Sequence, residues 1–255
     1  MAVTVVLLSA GYATRLYPLT KDKPKALLPL GGGTILDAVL DSVKTVPSVF
    51  KRVLVTNHRF AGQFQAWQKT PASALAKGGP GGSAPVEVVD DGTETVETRL
   101  GAIRDLELAA RLAGPQDDLL VIGTDNLFHW PLGDFVKAAQ RHAPKPTIAL
   151  WEAPSRQAAT QFGVVIRDQT GRITGFAEKS PSPPSAEVAL CVYYFPAAMR
   201  GDIRTFLDGG GNADAPGYFI EWLVGRGIVY GEMMPGAWYD IGSLESYQTV
   251  QKKWT

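Results

Sequence analysis

Four cations, Arg15, Lys21, Lys23 and Lys25, follow an apolar run and a turn of small residues in the segment Leu8-Ser-Ala-Gly-Tyr-Ala-Thr-Arg-Leu-Tyr-Pro-Leu-Thr-Lys-Asp-Lys-Pro-Lys-Ala-Leu-Leu-Pro29. Small residues at the carboxyl end of a strand let backbone N–H groups approach phosphate oxygens, and cations beside them neutralise the charge. Arg15 and Lys25 are the leading candidates. The same residues would also make an ordinary strand-to-helix loop with solvated lysines. A second apolar run, Leu119-Leu-Val-Ile-Gly123, is followed by Thr124 and presents Asp125 and Asn126 at its carboxyl edge. A carboxylate there can hold a hard cation, or can form a turn or a helix cap. Glu178-Lys179 follows a hairpin pattern, where an exposed ion pair of little energetic consequence is the plain alternative to a site.

These residues need elements to position them. Val3-Thr-Val-Val-Leu-Leu-Ser9 is continuous, apolar and β-branched, the pattern of a central parallel strand buried on both faces. Arg52–Thr56, Val86–Val89, Leu119–Gly123 and Thr147–Trp151 repeat it between helix-like stretches, which predicts an α/β sheet. Thr34-Ile-Leu-Asp37 resembles a capping box, with Ile35, Val39 and Val43 on one face of a helix running toward Pro47. Glu97 to Leu112 predicts a second helix, stopped by Gly114-Pro115, and Phe135 to Arg141 a third. After Trp151 the pattern changes. Gly163–Asp168 and Arg172–Ala177 flank a tight turn and read as an antiparallel hairpin, Val188–Phe195 as a further strand, and 197–207 and 218–224 as helices. Pro71–Pro85 and Ser180–Ser185 read as surface loops.

With 255 residues and 45% hydrophobic content the chain can furnish a real core, and its 25 cations balance its 25 anions. That balance argues against a general nucleic-acid binder. The single Cys191 excludes an intramolecular disulfide framework and a cysteine zinc site, is expected to be buried mid-strand, and fits a reducing, cytoplasmic compartment. No run approaches the roughly 18 apolar residues of a membrane span, and Val3–Ala10 lacks a basic leader, so no membrane partner is expected. His58, His129 and His142 show no zinc spacing and read as packing or surface residues. Trp67 and Trp222 read as core or interface residues.

The first segment resembles the signature of sugar-1-phosphate nucleotidylyltransferases, a Gly-x-Gly-Thr-Arg-Leu-x-Pro-x-Thr loop followed by Pro-Lys and Leu-Leu-Pro. Here it runs Gly11-Tyr-Ala-Thr-Arg-Leu-Tyr-Pro-Leu-Thr20, then Pro24-Lys25 and Leu27-Leu28-Pro29, with Ala13 in place of the second glycine. Three further pieces follow in the family's order. Gly123-Thr-Asp-Asn126 resembles its Gly-Asp-Asn metal site with Thr124 inserted. Gln161-Phe-Gly-Val-Val and Phe176-Ala-Glu-Lys179 resemble its Tyr-Gly-Val-Val and Phe-x-Glu-Lys-Pro pieces. Trp238-Tyr-Asp-Ile-Gly-Ser243 resembles Trp-x-Asp-x-Gly-Thr.

The resemblance implies an α/β fold with a mostly parallel central sheet and helices on both faces, Rossmann-like and of the GT-A nucleotidyltransferase type, plus a small mixed antiparallel sugar-binding lobe. Residues 1–255 form one domain, with a nucleotide-binding half over about 1–150 and a sugar-phosphate half over about 151–255. The implied catalytic residues are Arg15 and Lys25, and the implied metal ligands for Mg²⁺ are Asp125 and Asp240. Nucleotide would meet Leu8, Ala10, Gly11, Tyr12, Ala13, Thr14, Asp91, Gly92 and Gly101. The sugar phosphate would meet Asn126, the Gly163 backbone, Glu178 and Lys179. Partners are a nucleoside triphosphate and a sugar-1-phosphate, and a homo-oligomer is open. The implied reaction is Mg²⁺-dependent nucleotidyl transfer with release of pyrophosphate; the alternatives are a catalytically weak nucleotide-sugar binding protein, a related phospho-alcohol nucleotidyltransferase or a retaining glycosyltransferase. Two departures bear on specificity. Leu190 and Cys191 stand where a Thr-Gly pair often lines the sugar pocket. The Gln-Pro base-reading piece is missing near Asp90 and Asp91, where carboxylates lean toward CTP or GTP.

Overall fold

The computed structural model describes residues 2–70, 85–227 and 229–254. The first strand, β1 (Val3–Leu8), is followed by the short strands β2 (Pro29–Leu30) and β3 (Gly33–Thr34) and by helix α1 (Ile35–Val43). Then come β4 (Val49–Thr56), α2 (His58–Trp67), β5 (Val86–Asp90), α3 (Ala102–Leu112), β6 (Asp118–Gly123), β7 (Asn126–Phe128) and α4 (Leu132–Arg141). The second half comprises β8 (Thr147–Glu152), α5 (Arg156–Ala159), β9 (Gly163–Arg167), β10 (Ile173–Glu178), β11 (Glu187–Phe195), α6 (Arg200–Asp208), α7 (Pro216–Arg226), β12 (Tyr230–Met233), β13 (Trp238–Asp240) and α8 (Leu244–Lys253).

As its unbroken apolar run requires, β1 is central, with β4 and β6 parallel on either side and β5 parallel beyond β4. Side chains alternate across the pleat. Val3, Val5 and Leu7 enter a core shared with Leu36 of α1, Phe64 of α2, Phe135 of α4 and Val250 of α8. Val6 enters a second core with Leu106 of α3, Phe206 of α6 and Phe219 of α7. Helices therefore cover both faces, and both cores are closed to water. The antiparallel part continues the same nine-stranded sheet: β11 pairs β6, β8 and β9, β9 pairs β10, and β12 lies parallel to β8. No helix among the described residues is long and apolar enough to cross a membrane.

The Thr34–Asp37 capping box forms as expected, although α1 ends at Val43, short of Pro47. The helix expected from Glu97 begins only at Ala102. Its cap, Gly101, has φ 91°, a conformation that excludes helix, and Thr95 and Thr98 hold a separate turn through their side chains. The helix expected from Phe135 starts earlier, at Leu132. Helix α2, not singled out in the sequence because Gly62 and two glutamines blur its stripe, is capped by the Asn57 side chain and buries Phe60, Phe64 and Trp67. Except for Pro85, the Pro71–Pro85 loop lies outside the described residues. Ser180–Ser185 connects β10 to β11 without regular structure.

Candidate active site

The chain leaves β1 at Leu8 and passes over the carboxyl ends of the parallel strands. Asn57 Nδ2 donates to the Ala10 carbonyl at 2.9 Å, and Tyr12 Oη lies 3.3 Å from Thr93 Oγ1, so strand ends β4 and β5 both hold this loop. Ala13 has φ 49°, the left-handed region, and its carbonyl accepts from Thr20 Oγ1 at 2.7 Å. The alanine in the second glycine position thus keeps the backbone a glycine would favour, at a conformational cost. Leu8, Ala10, Gly11, Tyr12, Ala13 and Thr14 line one side of a cavity of about 370 Å³, and Asp91 and Gly101 line the other. Gly92 is not brought to this cavity; it sits in an exposed turn with φ 78° and donates to Asp90 Oδ1. Asp90 also faces outward, where His58 Nδ1 lies 2.6 Å from its carboxylate.

A second cavity of about 430 Å³ adjoins the first and shares Ala13, Thr14, Asp125, Cys191 and Pro216 with it. Arg15 stands exposed on its wall, Lys25 lines it more deeply, and Lys21 and Lys23 remain in solvent. Lys25 Nζ donates to Asp125 Oδ2 at 2.7 Å and to the Ile241 carbonyl at 2.9 Å. Asp125 follows β6 through Thr124, whose N–H and hydroxyl both reach the Leu8 carbonyl. The inserted threonine is therefore turned inward, fastening the turn to β1. A Cβ on Gly123 would come within 2.9 Å of Cys191 Sγ and 3.0 Å of Asp125 Oδ1, which is why the strand ends in glycine.

Asp240 arrives from the other end of the chain because β13 pairs with β7, with Asp240 opposite Asn126. Trp238 Nε1 donates to Asn126 Oδ1 at 2.9 Å, and Asn126 Nδ2 donates to Asp125 Oδ1 at 2.9 Å. Asn126 is thus buried and oriented, with both ends of its amide in use. Burial opposes ionisation of Asp125, but the charge and hydrogen bond of Lys25 outweigh it and hold the carboxyl below its ordinary value. At Asp240, burial and then the Asp125 charge push the carboxyl up to about 6. Two oxygen-donor carboxylates that repel one another across a cleft are a donor set suited to a hard divalent cation.

The far wall is the hairpin of β9 and β10, which sets Gly163 opposite Glu178. A Cβ on Gly163 would meet Phe176 at 2.6 Å and Glu178 Oε2 at 2.9 Å, and one on Gly217 would meet Glu178 Oε2 at 2.2 Å. Two glycines therefore make room for this carboxylate inside the cavity. Lys179 Nζ lies 3.4 Å from Glu178 Oε1, and its backbone, at φ 47°, donates to the Phe162 carbonyl.

On β11 the expectation for the sugar wall needs correction. Alternation along the strand sends Ala189, Cys191 and Tyr193 into the cavity, whereas Leu190 is fully buried in the opposite core. Leu190 cannot line the site. Cys191 is half-buried rather than sealed in the core, and burial followed by the Asp125 charge pushes its thiol up to about 12, which keeps it protonated and a poor nucleophile.

Asp105 was overlooked. It lies on α3, is 5% exposed, and lines the first cavity. Burial, then the Asp91 charge, pushes its carboxyl up to about 7. The sequence signal was available: an acid set among Ile103, Leu106 and Ala109 on a helix whose neighbours are apolar. Arg99, also unassigned, lines the same cavity and pairs with Asp214 at 2.7 Å. The histidines stay apart: His129 stacks on Trp254 and His142 on Tyr230. Trp222 is half-buried against Phe206 and Phe219.

A family model described as Nucleotidyl transferase matches residues 4–255. Among curated proteins the chain is 27% identical to a glucose-1-phosphate adenylyltransferase of Mycolicibacterium vanbaalenii, over 95% of this chain and 64% of that one. It is 29% identical to the UTP–glucose-1-phosphate uridylyltransferase AglF of Haloferax volcanii, over 76% of this chain and 72% of the other. The chain thus spans about 64% of the length of the adenylyltransferases it matches. Its fold superposes on that of UDP-glucose pyrophosphorylase complexed with UDP-glucose with a TM-score of 0.82, at 17% identity, over 99% of this chain and 98% of the other.

Proposed function

Because the chain belongs to the nucleotidyl transferase family, we propose that its two adjoining cavities hold a nucleoside triphosphate and a sugar-1-phosphate and that it joins them. A phosphate oxygen of the sugar-1-phosphate attacks the α-phosphorus in line, the bond from that phosphorus to the bridging oxygen breaks, and pyrophosphate leaves with its electrons. No covalent bond to the protein forms. The observation that carries this reading is the convergence of Lys25, Asp125 and Asp240 where the small-residue loop meets both cavities.

Transfer of this kind depends on positioning and on charge stabilisation. In this reading the loop from Leu8 to Thr14 offers backbone N–H groups to the triphosphate, with Arg15 and Lys25 neutralising it. Asp125 and Asp240 would hold Mg²⁺, which when bound neutralises phosphate oxygens. Lys179 holds the sugar phosphate, Glu178 accepts from sugar hydroxyls, and the Gly163 backbone and Asn126 complete that end. The relatives differ in base, adenylyl in one and uridylyl in another. Here Asp91, which lines the cavity, supports a base rich in N–H donors, while Asp90 does not reach it. The Ala189 and Cys191 wall supports a less polar acceptor than glucose-1-phosphate.

The test is release of pyrophosphate when the purified chain meets Mg²⁺, each of five triphosphates and several sugar-1-phosphates. Release that requires both substrates is expected; tight nucleotide-sugar binding without any release would overturn the reading.

A further inference from the structure

The first cavity is lined by a carboxyl group with one unpartnered oxygen. Asp105 Oδ1 is buried and has no hydrogen-bond partner among the described residues, although a buried polar group normally finds one. The side chain is 5% exposed and lines the cavity, facing the loop from Leu8 to Thr14 that the preceding reading gives to the triphosphate. No ion pair to it forms among the described residues. The nearby Arg99 is already engaged by Asp214 at 2.7 Å. Asp91, on the loop after β5, adds a second carboxylate, of which Oδ1 is occupied by the Thr93 N–H and hydroxyl. A carboxyl group that lines a cavity with one oxygen unpartnered, beside a second acid, is a place suited to donors that a ligand supplies.

Resting on the transferase reading, we propose that Asp105 reads the base of the bound triphosphate and favours guanine, whose ring N–H and exocyclic amine present two adjacent donors to one carboxylate. Adenine offers an amine between two ring acceptors and cytosine an amine beside one, and both rank below it. Uracil and thymine offer a single ring N–H between two carbonyls, which the acidic pair repels, and rank last. The choice becomes sharper as the carboxyl ionises, because a carboxylate only accepts, whereas the neutral acid can also donate to a uracil carbonyl. Burial holds Asp105 near neutral pH, so the transition falls in an accessible range. The other titratable or charged groups lining this cavity are Asp91, Tyr12, the Arg99–Asp214 pair, Asp125 and Cys191, with His58 acting on Asp91 from outside it.

The experiment measures direct binding of GTP, ATP, CTP, UTP and dTTP at pH 6 and pH 8, in the wild type and in Asp105→Asn. The wild type is expected to bind GTP about 10-fold more tightly than UTP at pH 8, a difference typical of one paired donor–acceptor contact, with a narrower ratio at pH 6. Asp105→Asn should bring GTP and UTP to within about 3-fold and remove the pH dependence of their ratio. The wild-type pH series stands alone should the variant fold poorly. A preference for UTP or dTTP, a ratio that ignores pH, or an equal weakening of all five in the variant would overturn the role of Asp105 alone. Failure of the wild type to bind any triphosphate would instead overturn the transferase reading, and this inference with it.

Discussion

Lys25 and Asp125, 100 residues apart in sequence, are joined by a 2.7 Å ion pair whose ammonium also holds the Ile241 carbonyl next to Asp240. One side chain therefore ties together the two segments that carry the carboxylates, alongside the β13–β7 pairing and the bond from the Ile241 N–H to the Asp125 carbonyl. Lys25→Met should lower kcat by about 10²-fold, as lost charge-stabilising donors do. Asp125→Asn should add little to that loss, because the two residues act as a unit. Steady-state kinetics of the single and double variants check this; fully multiplicative effects would separate the two roles.

Arg15 is exposed and makes no ion pair among the described residues. Its removal should leave folding almost untouched, within about 0.5 kcal/mol as for ordinary surface changes. Turnover in Arg15→Ala should nevertheless fall by about 10²-fold or more. An unchanged melting temperature with unchanged turnover would sink its assignment.

Asp125→Asn and Asp240→Asn each keep shape while removing charge from the proposed Mg²⁺ site. Calorimetric titration should show weaker Mg²⁺ binding in both, with nucleotide binding in the absence of metal little altered. Chelator should abolish pyrophosphate release by the wild type, and added Mg²⁺ should restore it. Full activity in excess chelator would refute the metal role.

Asp105 also marks the stability of the fold. Its folded pKa, about 7, stands above the ordinary 3.8, so the fold favours the neutral acid. The stability this contributes is complete below pH 4 and is lost as pH rises through 7, amounting to roughly 2–3 kcal/mol between pH 5 and pH 8. Thermal scans should therefore show Asp105→Asn gaining on the wild type by roughly 5–10 °C between those two pH values. Parallel pH profiles for the two proteins would contradict it.

Leu190 and Cys191 are neighbours with opposite fates. Leu190→Thr should cost about 2–4 kcal/mol through a core cavity and a buried hydroxyl, with no change in acceptor preference. Cys191→Gly should shift the ranking of sugar-1-phosphates with a much smaller effect on the melting temperature. Denaturant titration and an acceptor screen distinguish them; a changed ranking in Leu190→Thr would contradict the placement of this side chain.

Much of the architecture was legible because buried parallel strands announce themselves as unbroken β-branched runs, as in Val3–Leu8 and Leu119–Gly123. Lys25, Asp125 and Asp240 were legible through short motifs, which place the two carboxylates at strand ends and Lys25 in a tight turn. What the sequence concealed was set by long-range geometry. Gly92 and Gly101 look alike on paper, yet only Gly101 meets the cavity, where a Cβ would strike the Ala213 carbonyl at 2.5 Å. Whether Leu190 or Ala189 faces the site depends on the pleat phase of β11, and one residue of phase exchanges core for cavity. Asp105 carried a signal, an acid among apolar positions of a helix, but the cavity it lines forms only where α3 meets the loop after β1.

The pairing of β13 with β7 brings Trp238 and Asn126 together across 112 residues of chain. Contacts that close so long a loop form late, since the entropy of closure is spent before the contact rewards it. The central β1–β6 pair closes a loop just as long, with Val3 opposite Asp118, so the middle of the sheet and the second acidic group face the same entropic delay. Competence for chemistry would then arrive together with completion of the sheet. In time-resolved refolding, burial of Trp238 and recovery of turnover should coincide with the return of strand structure.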